Sequence, residues 1–272
     1  MLQFIQWDFD PTIHLGPLHP KWYGAMMATG IALAFFIVSD IYRRSKIEEK
    51  YMISLLYMIV AGALIGARLG EVFFYNFDDY KDNPLDIVKI WNGGLSSHGA
   101  TLGIMIMAFI YAKWVIKKPF LWVGDRIVAG VAITSAFVRL GNFCNSEIVG
   151  KYSNLPWAVI FKRHYTNGFA DILPRHPTQI YEAIAYLLLS LFLYLFFRKN
   201  QGKFKTGTIS ACFLIGMFTF RFLIEFLKEI QESFEAKLPL VMGQLLSIPL
   251  IIYGLLILFF IQRKETAIDS NQ

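Results

Sequence analysis

The residues best suited to chemistry lie in a short polar stretch, Val138–Gly150, that closes a long apolar run starting near Phe120. Arg139 and Asn142 are three residues apart, so a helix places them on one face, and Glu147 follows closely. A guanidinium at the centre of a membrane helix costs about 2.5–3.5 kcal/mol and persists where an anion, a pore or water satisfies it. The stretch therefore predicts an anion-binding site at the membrane surface. A snorkelling arginine beside a solvated loop is the alternative.

A second candidate is His98, which ends the glycine-rich stretch GGLSSHG, residues 93–99, just before an apolar segment. An imidazole with an ordinary pKa of about 6.5 is suited to proton transfer near neutral pH. The flanking glycines leave room for a substrate. The stretch predicts a general base at the mouth of a membrane helix, and a purely structural histidine is the alternative.

Two more charged pairs interrupt apolar segments. Arg221 and Glu225 are four residues apart, and Arg68 and Glu71 are three apart. Each pair either satisfies itself along one helix face or supplies a further cation with an orienting carboxylate. Glycines recur every four residues beside Arg68, at positions 62, 66 and 70, which predicts close helix packing.

The segments that must position these residues are membrane helices. Of 272 residues, 56% are hydrophobic and only 17% are charged, which is less charge than a soluble domain carries. About 20 apolar residues cross the ~30 Å hydrocarbon core of a bilayer. The sequence predicts an all-α polytopic membrane protein, a single domain over residues 1–272 with a small extracytoplasmic segment at about 145–175. Its seven predicted spans cover about 22–42, 51–75, 100–114, 121–140, 177–197, 207–227 and 241–261.

The distribution of basic residues predicts the orientation. Lysines and arginines concentrate in the connections on one side of the seven spans, and such residues favour the cytoplasmic face. The N-terminus is therefore expected outside and the C-terminus inside, with the polar candidates in the outer half of the membrane. The net charge of +6 reflects this bias and contact with anionic membrane lipid, not nucleic acid. The basic patch Lys162–Tyr165 either grips lipid phosphate or a peptide, or is simply solvated.

Several enzyme classes lack their motifs here. No G-x-S-x-G, no H-E-x-x-H and no cluster of carboxylates at metal spacing occur, so neither a serine hydrolase nor a metalloprotease is favoured. Cys144 and Cys212 form no disulfide or metal pattern, and Cys144 is either a nucleophile or a buried free thiol.

Arginines bind phosphate bidentately, so the residues alone indicate a protein that handles phospholipid and carries a candidate base. A lipid transporter and a structural scaffold are the rivals, although a transporter should show internal repeats, and none is evident.

Five motifs in this order, with the lead-in WYG at Trp22, carry a resemblance over nearly the whole chain: GGLSSHG, VRLGNFCNSEIVGK, LPRHPTQIYE, FRFLIEFLK and MGQLLSIP. The chain resembles the prolipoprotein diacylglyceryl transferases of bacteria. It departs from them at Val138, where glycine is usual, at Cys144, where a larger aliphatic is usual, and at Ser97, where an aromatic is expected.

The resemblance implies an enzyme of the bacterial cytoplasmic membrane that performs the first step of lipoprotein maturation. It would move the diacylglyceryl group of phosphatidylglycerol to the thiol of the lipobox cysteine in a prolipoprotein signal peptide. A thioether forms, glycerol phosphate leaves, and no cofactor or metal takes part. The nucleophile belongs to the substrate, which accounts for the missing nucleophile motif.

The resemblance also implies roles for the candidates. His98 would be the base, and Arg139 and Arg221 would stabilise the departing phosphate. Asn142 and Glu147 would hold the glycerol or orient Arg139, and Glu225 would orient Arg221. The remaining candidates for the substrate pocket are Tyr23, Arg68, His176, Tyr181 and Gln244.

Overall fold

The structure, a computed structural model, describes residues 4–74, 76–81, 84–89, 94, 96–166, 169–170, 173–230, 235 and 238–269. Among these residues, seven helices are long and apolar enough to cross a membrane: Trp22–Arg44, Glu49–Phe74, His98–Val115, Phe120–Cys144, Thr178–Asn200, Thr208–Leu227 and Met242–Ile261. The prediction of an all-α membrane protein with seven spans is confirmed.

The elements follow one another in a simple order. Strand β1 (Ile5–Trp7) precedes helices α1 (Trp22–Arg44), α2 (Glu49–Phe74), the short α3 (Phe77–Lys81) and a 3₁₀ turn (Pro84–Val88). Helix α4 (Ser97–Ile110) continues as a π-helical turn (Tyr111–Val115), and α5 (Phe120–Cys144) follows. Strands β2 (Val159–Phe161), β3 (Tyr165–Thr166) and β4 (Phe169–Ala170) lie before α6 (Thr178–Asn200). Helix α7 (Thr208–Ile224) ends in a 3₁₀ turn (Glu225–Leu227), and α8 (Met242–Asp269) is last.

The chain forms two compact units, Ser39–Gly124 on the one hand and Met1–Val38 with Asp125–Gln272 on the other. In the first unit, α2 and α4 meet through their glycines. A Cβ on Gly70 would lie 2.6 Å from the Cα of Gly99, and one on Gly62 would lie 2.7 Å from the carbonyl oxygen of Gly103. Only glycine permits backbones this close. The predicted small-residue packing of α2 is therefore confirmed, and it fixes the start of α4.

In the second unit, the first turn of α7 is capped by a carboxylate from α5. The Asp125 side chain accepts hydrogen bonds from the backbone N–H of Gly207 at 2.6 Å and of Ser210 at 2.8 Å, and from the Ser210 hydroxyl at 2.9 Å. The first N–H groups of a helix lack partners within the helix, and its N-terminus favours negative charge. Asp125 is only 2% exposed, so water cannot replace it.

The segment between α5 and α6 packs against the N-terminal residues. Strand β1 pairs in parallel with β2, so that Ile5 lies opposite Val159 and Trp7 opposite Phe161. The Trp7 indole donates to the carbonyl of Phe143 at 3.1 Å. This pairing holds the end of α5 against the segment that leads to α6.

Two arginines complete the same segment. Arg175 is fully buried, lies over the Tyr152 ring and donates to the carbonyl of Gly150 at 3.1 Å. Arg163, from the predicted basic patch, pairs with Asp8 at 3.2 Å and Asp10 at 3.7 Å. These ion pairs are exposed, so each contributes only about 0–1 kcal/mol to stability.

We expect Asp125→Ala to lower the free energy of unfolding by about 1–3 kcal/mol, because buried N–H groups of α7 lose their acceptor. Thermal unfolding of the detergent-solubilised protein measures this loss. The control is Asp78→Ala, which removes an exposed ion pair with Lys81 that contributes about 0–1 kcal/mol. Equal melting temperatures for the two variants would contradict the capping role.

Candidate active site

The predicted polar stretch lies at the end of α5. This helix continues past the predicted boundary at residue 140 to Cys144, so Arg139 and Asn142 occupy its last turns. Arg139 Nη1 donates to Asn142 Oδ1 at 3.3 Å, and Asn142 Nδ2 donates to Glu147 Oε1 at 2.7 Å. The three candidates thus form one hydrogen-bonded row in which the amide links the cation to the carboxylate.

The turn that follows α5 holds two side chains in an unfavourable backbone conformation. Ser146 and Ile148 have φ values of 56° and 58°, and a β-branched residue rarely adopts this region. The start of α6 supports the turn from the other side. Gln179 Nε2 donates to the Glu147 carbonyl at 2.7 Å, and the Thr178 hydroxyl donates to the Ile148 carbonyl at 3.1 Å. Such strain persists where the surroundings over-determine it, and here it places Glu147 beside Asn142.

A chain of alternating charges extends from Arg139 through α6 to the end of α7. Glu182, which is fully buried, forms an ion pair with Arg139 at 3.2 Å, although no hydrogen bond to its Oε2 is present among the described residues. Its Oε1 accepts from Lys228 Nζ at 3.1 Å and from the Tyr186 hydroxyl at 3.1 Å. Lys228 Nζ also donates to Glu225 Oε1 at 3.0 Å. We call Arg139, Glu182, Lys228 and Glu225 the buried ionic network.

Arg221 lies one turn before Glu225 on α7 and is half-buried. Its expected partner, Glu225, is paired with Lys228 instead. Among the residues that the structure describes, no ion pair or hydrogen bond engages the Arg221 guanidinium. Its charge still acts on Tyr186, which places it next to the buried ionic network. Arg221 is therefore a cation available to an anionic ligand.

Helix α8 covers this site from one side. A Cβ on Gly243 would lie 2.5 Å from Cδ of Glu225, so a larger residue there would displace the Glu225 side chain. Gln244 is buried, accepts from the backbone N–H of Val241 at 3.3 Å and donates to the carbonyl of Phe222 at 3.4 Å. Gln244 thus fixes the start of α8 against α7 and does not present a free amide.

Tyr23, near the start of α1, belongs to the same group as Arg139. A Cβ on Gly141 would lie 2.9 Å from the Tyr23 ring, so the ring lies directly on the last turns of α5. Both Arg139 and Glu147 act electrostatically on the Tyr23 hydroxyl. The Tyr23 hydroxyl therefore lies within electrostatic range of Arg139 and Glu147.

His176 and Tyr181 lie where the chain enters α6. His176 Nδ1 lies 3.4 Å from the Tyr181 hydroxyl, which also accepts from the Trp157 indole at 2.7 Å. Burial lowers the pKa of His176 below its usual value, so the imidazole is neutral near neutral pH. His176 thus adds no cation to the site.

The two remaining candidates, His98 and Arg68, belong to the unit Ser39–Gly124. His98 is exposed in the first turn of α4, where the Ser96 hydroxyl accepts from the backbone N–H of Gly99 at 3.2 Å. Ser96 in turn donates its backbone N–H to the carbonyl of Ala67 at 3.0 Å. The start of α4 is thus fixed, while the imidazole stays accessible. Gly93 of the same motif lies outside the described residues.

Arg68 is committed to the backbone of its own unit. Its guanidinium donates to the carbonyls of Asp86 at 2.5 Å, Ile87 at 2.7 Å and Gly94 at 3.0 Å, and the residue is 5% exposed. Glu71 accepts from the Asn76 amide at 2.7 Å, so both members of the predicted Arg68–Glu71 pair have other partners. Arg68 therefore shapes the connection that leads to α4.

The structure thus brings Tyr23, Arg139, Asn142, Glu147 and Glu225 into one group, with Arg221 beside it. That His98 acts together with this group stays a prediction. Sequence reasoning missed Glu182, Tyr186 and Lys228 as site residues. Lys228 had a signal in its spacing, because it follows the candidate Glu225 by three residues. Glu182 and Tyr186 are four residues apart in an apolar segment, which predicts that they share a helix face. Among the described residues, no three His, Cys, Asp or Glu side chains are grouped as metal ligands.

Comparisons with known proteins agree with this picture. The family described as prolipoprotein diacylglyceryl transferase matches residues 11–260. A relative from Tolumonas auensis is 38% identical over 262 residues, covering 96% of this chain and 98% of its own. Relatives from Chloroherpeton thalassium (39% identical, 94% of each chain covered) and Porphyromonas gingivalis (41% identical, 93% of each covered) are similar. All three are named phosphatidylglycerol–prolipoprotein diacylglyceryl transferase. The chain belongs to the prolipoprotein diacylglyceryl transferase family.

Proposed function

We propose that this multi-pass membrane protein transfers the diacylglyceryl group of phosphatidylglycerol to the thiol of a cysteine in a prolipoprotein. The observation that carries the proposal is full-length similarity to relatives named for this reaction, with 93% or more of each chain covered in three of them. The available Arg221 beside the buried ionic network supports it, because the reaction needs cations at a lipid phosphate.

The bond changes explain why cations matter. The substrate sulfur, as a thiolate, attacks the glyceryl carbon that carries the phosphate ester. The carbon–sulfur bond forms as the carbon–oxygen bond breaks, and the electron pair stays on the phosphate oxygen. A phosphodiester with one negative charge thus becomes a phosphomonoester with two, and the thiol proton passes to a base. Fixed cations at the departing oxygen stabilise this growing charge more than the ground state.

We assign Arg221 and Arg139 to the phosphate. Arg221 has no competing partner among the described residues, whereas Arg139 is oriented by Asn142 and the Glu182 carboxylate. A planar guanidinium presents paired N–H donors to phosphate oxygens. Asn142, Glu147 and Tyr23 would contact the glycerol hydroxyls, since all three adjoin Arg139.

The acceptor requires a base, and His98 is our candidate. A cysteine thiol has a pKa of about 8.5, which apolar surroundings raise, so little thiolate forms unaided near neutral pH. His98 stands exposed on a rigid helix start, as a proton acceptor should. The acceptor would be the lipobox cysteine of the signal peptide.

The proposed orientation has the N-terminus outside and the C-terminus in the cytoplasm of a bacterial cell. Strand β1 pairs with β2, so the N-terminal residues and the segment between the fourth and fifth spans share one side. The basic connections favour the cytoplasm. They contain Arg43, Arg44, Lys46, Lys50, Lys113, Lys117, Lys118, Arg198, Lys199, Lys203, Lys205, Arg263 and Lys264.

The reaction itself is tested by incubating the purified protein with labelled phosphatidylglycerol and a lipobox peptide. In this assay Arg221→Met should lower the rate about 10²–10³-fold, which is typical for loss of one donor that stabilises developing charge. Arg163→Met is the control, because it removes an exposed arginine outside the site. Lipid movement without a thioether product from the unaltered protein would indicate a transporter. An Arg221→Met rate equal to that of the control would refute the phosphate role.

The base is tested by the pH dependence of His98→Ala. We expect at least about a 10²-fold loss near pH 7, because general base catalysis contributes this much. The loss should shrink as the pH rises, since the thiol then ionises without help. A loss that is independent of pH would indicate positioning, and near-normal activity of His98→Asn would eliminate the assignment.

A further inference from the structure

We propose that Lys228 is a positioning residue that keeps Arg221 available for the phosphate by holding the Glu225 carboxylate away from it. This inference rests on the proposed function. Lys228 directly follows the 3₁₀ turn that ends α7. We assign it no contact with the reacting groups. Its role is exerted through the two carboxylates that it bridges.

The position of Lys228 is fixed on all sides. Its Nζ lies 3.1 Å from Glu182 Oε1 and 3.0 Å from Glu225 Oε1, and the residue is 4% exposed. Its backbone forms a bridge with Gly150 and donates to the Glu225 carbonyl at 3.3 Å. A buried ammonium with two carboxylate partners is held by charge as well as by packing, because each partner would otherwise be an uncompensated buried charge.

Without Lys228, Glu225 has an obvious alternative partner. Arg221 and Glu225 are four residues apart, the spacing at which a cation and a carboxylate pair on a helix. The structure shows Glu225 on Lys228 instead, and Arg221 has no ion partner among the described side chains. Lys228 thus occupies the carboxylate that would otherwise occupy Arg221.

A count of charges leads to the same conclusion. Within the buried ionic network, the cations Arg139 and Lys228 balance the carboxylates Glu182 and Glu225. Glu147, a further carboxylate of the group, is held by amide side chains instead. Arg221 therefore has no carboxylate partner in this balance among the described residues, and a lipid phosphate can pair with it. Removal of Lys228 leaves the network with one carboxylate more than it has cations. That carboxylate then competes with the lipid phosphate for Arg139 and Arg221.

The experiment measures the apparent KM for phosphatidylglycerol and kcat in mixed micelles, with a lipobox peptide as acceptor, for the full-length protein. Lys228→Met should raise this KM about 10–100-fold, the value of one hydrogen bond to a charged group. The KM for the peptide should stay unchanged. Lys228→Arg keeps the charge and should stay near the unaltered protein. The matched control is Lys151→Met, since the Lys151 side chain is exposed and its Nζ donates to the backbone carbonyl of Phe226, not to a carboxylate of the network.

The decisive variant combines Lys228→Met with Glu225→Gln. A neutral amide competes only weakly for Arg221. The KM of the double variant for phosphatidylglycerol should therefore be at least about tenfold lower than that of Lys228→Met. A purely structural lysine predicts the reverse, because a second network residue is lost. Normal KM in Lys228→Met, or no recovery in the double variant, would overturn the proposal.

Folding is followed by size-exclusion chromatography and thermal unfolding of every variant. Where Lys228→Met alone fails to fold, the double variant decides: a folded protein with a near-normal KM supports the proposal, and any other result opposes it. An unaltered protein that forms no thioether product would contradict the proposed function instead, so the two failures are distinguishable.

Discussion

The structure of the site depends on one constraint: charges buried between membrane helices must be matched. Arg139 of α5, Glu182 of α6, and Lys228 and Glu225 at the end of α7 meet this constraint as an alternating row. The four charges come from three places in the sequence, so the row also fixes how the ends of three helices meet. Because the row is balanced in itself, the neighbouring Arg221 has no ion partner among the described side chains. In a membrane protein of this family, a lipid phosphate is the natural anion to neutralise it.

The surrounding fold holds this arrangement from several directions. At one end of α5, Asp125 caps the start of α7, and at the other end Arg139 pairs with α6, so α5 is fixed at both ends. The left-handed turn at Ser146 and Ile148 places Glu147 beside Asn142. Backbone strain of this kind concentrates at functional sites because only rigid surroundings sustain it. The site is therefore preorganised, which is what electrostatic stabilisation of a departing phosphate requires.

The membrane spans and part of the site could be predicted from the sequence, whereas the partners of Glu225 and Arg68 could not be predicted from residue spacing. Seven spans follow from apolar length, and the Arg139–Asn142 contact follows from helical spacing. The partner of Glu225 could not be predicted, because α7 tightens into a 3₁₀ turn at Glu225 and the backbone becomes extended at Lys228. Helical spacing alone leaves Glu225 within reach of both Arg221, four residues before it, and Lys228, three residues after it. The structure shows that Lys228 is the partner. Arg68 likewise binds carbonyls far along the chain, at Asp86, Ile87 and Gly94, which local spacing cannot reveal.

The central claim is that Arg221 is kept unpaired in order to bind the phosphate of phosphatidylglycerol. A high-resolution structure of the protein with this lipid bound tests it most directly. We expect phosphate oxygens about 2.7–3.2 Å from the Arg221 guanidinium nitrogens, while Glu225 remains paired with Lys228. A lipid phosphate bound elsewhere, with Arg221 paired to Glu225, would contradict it.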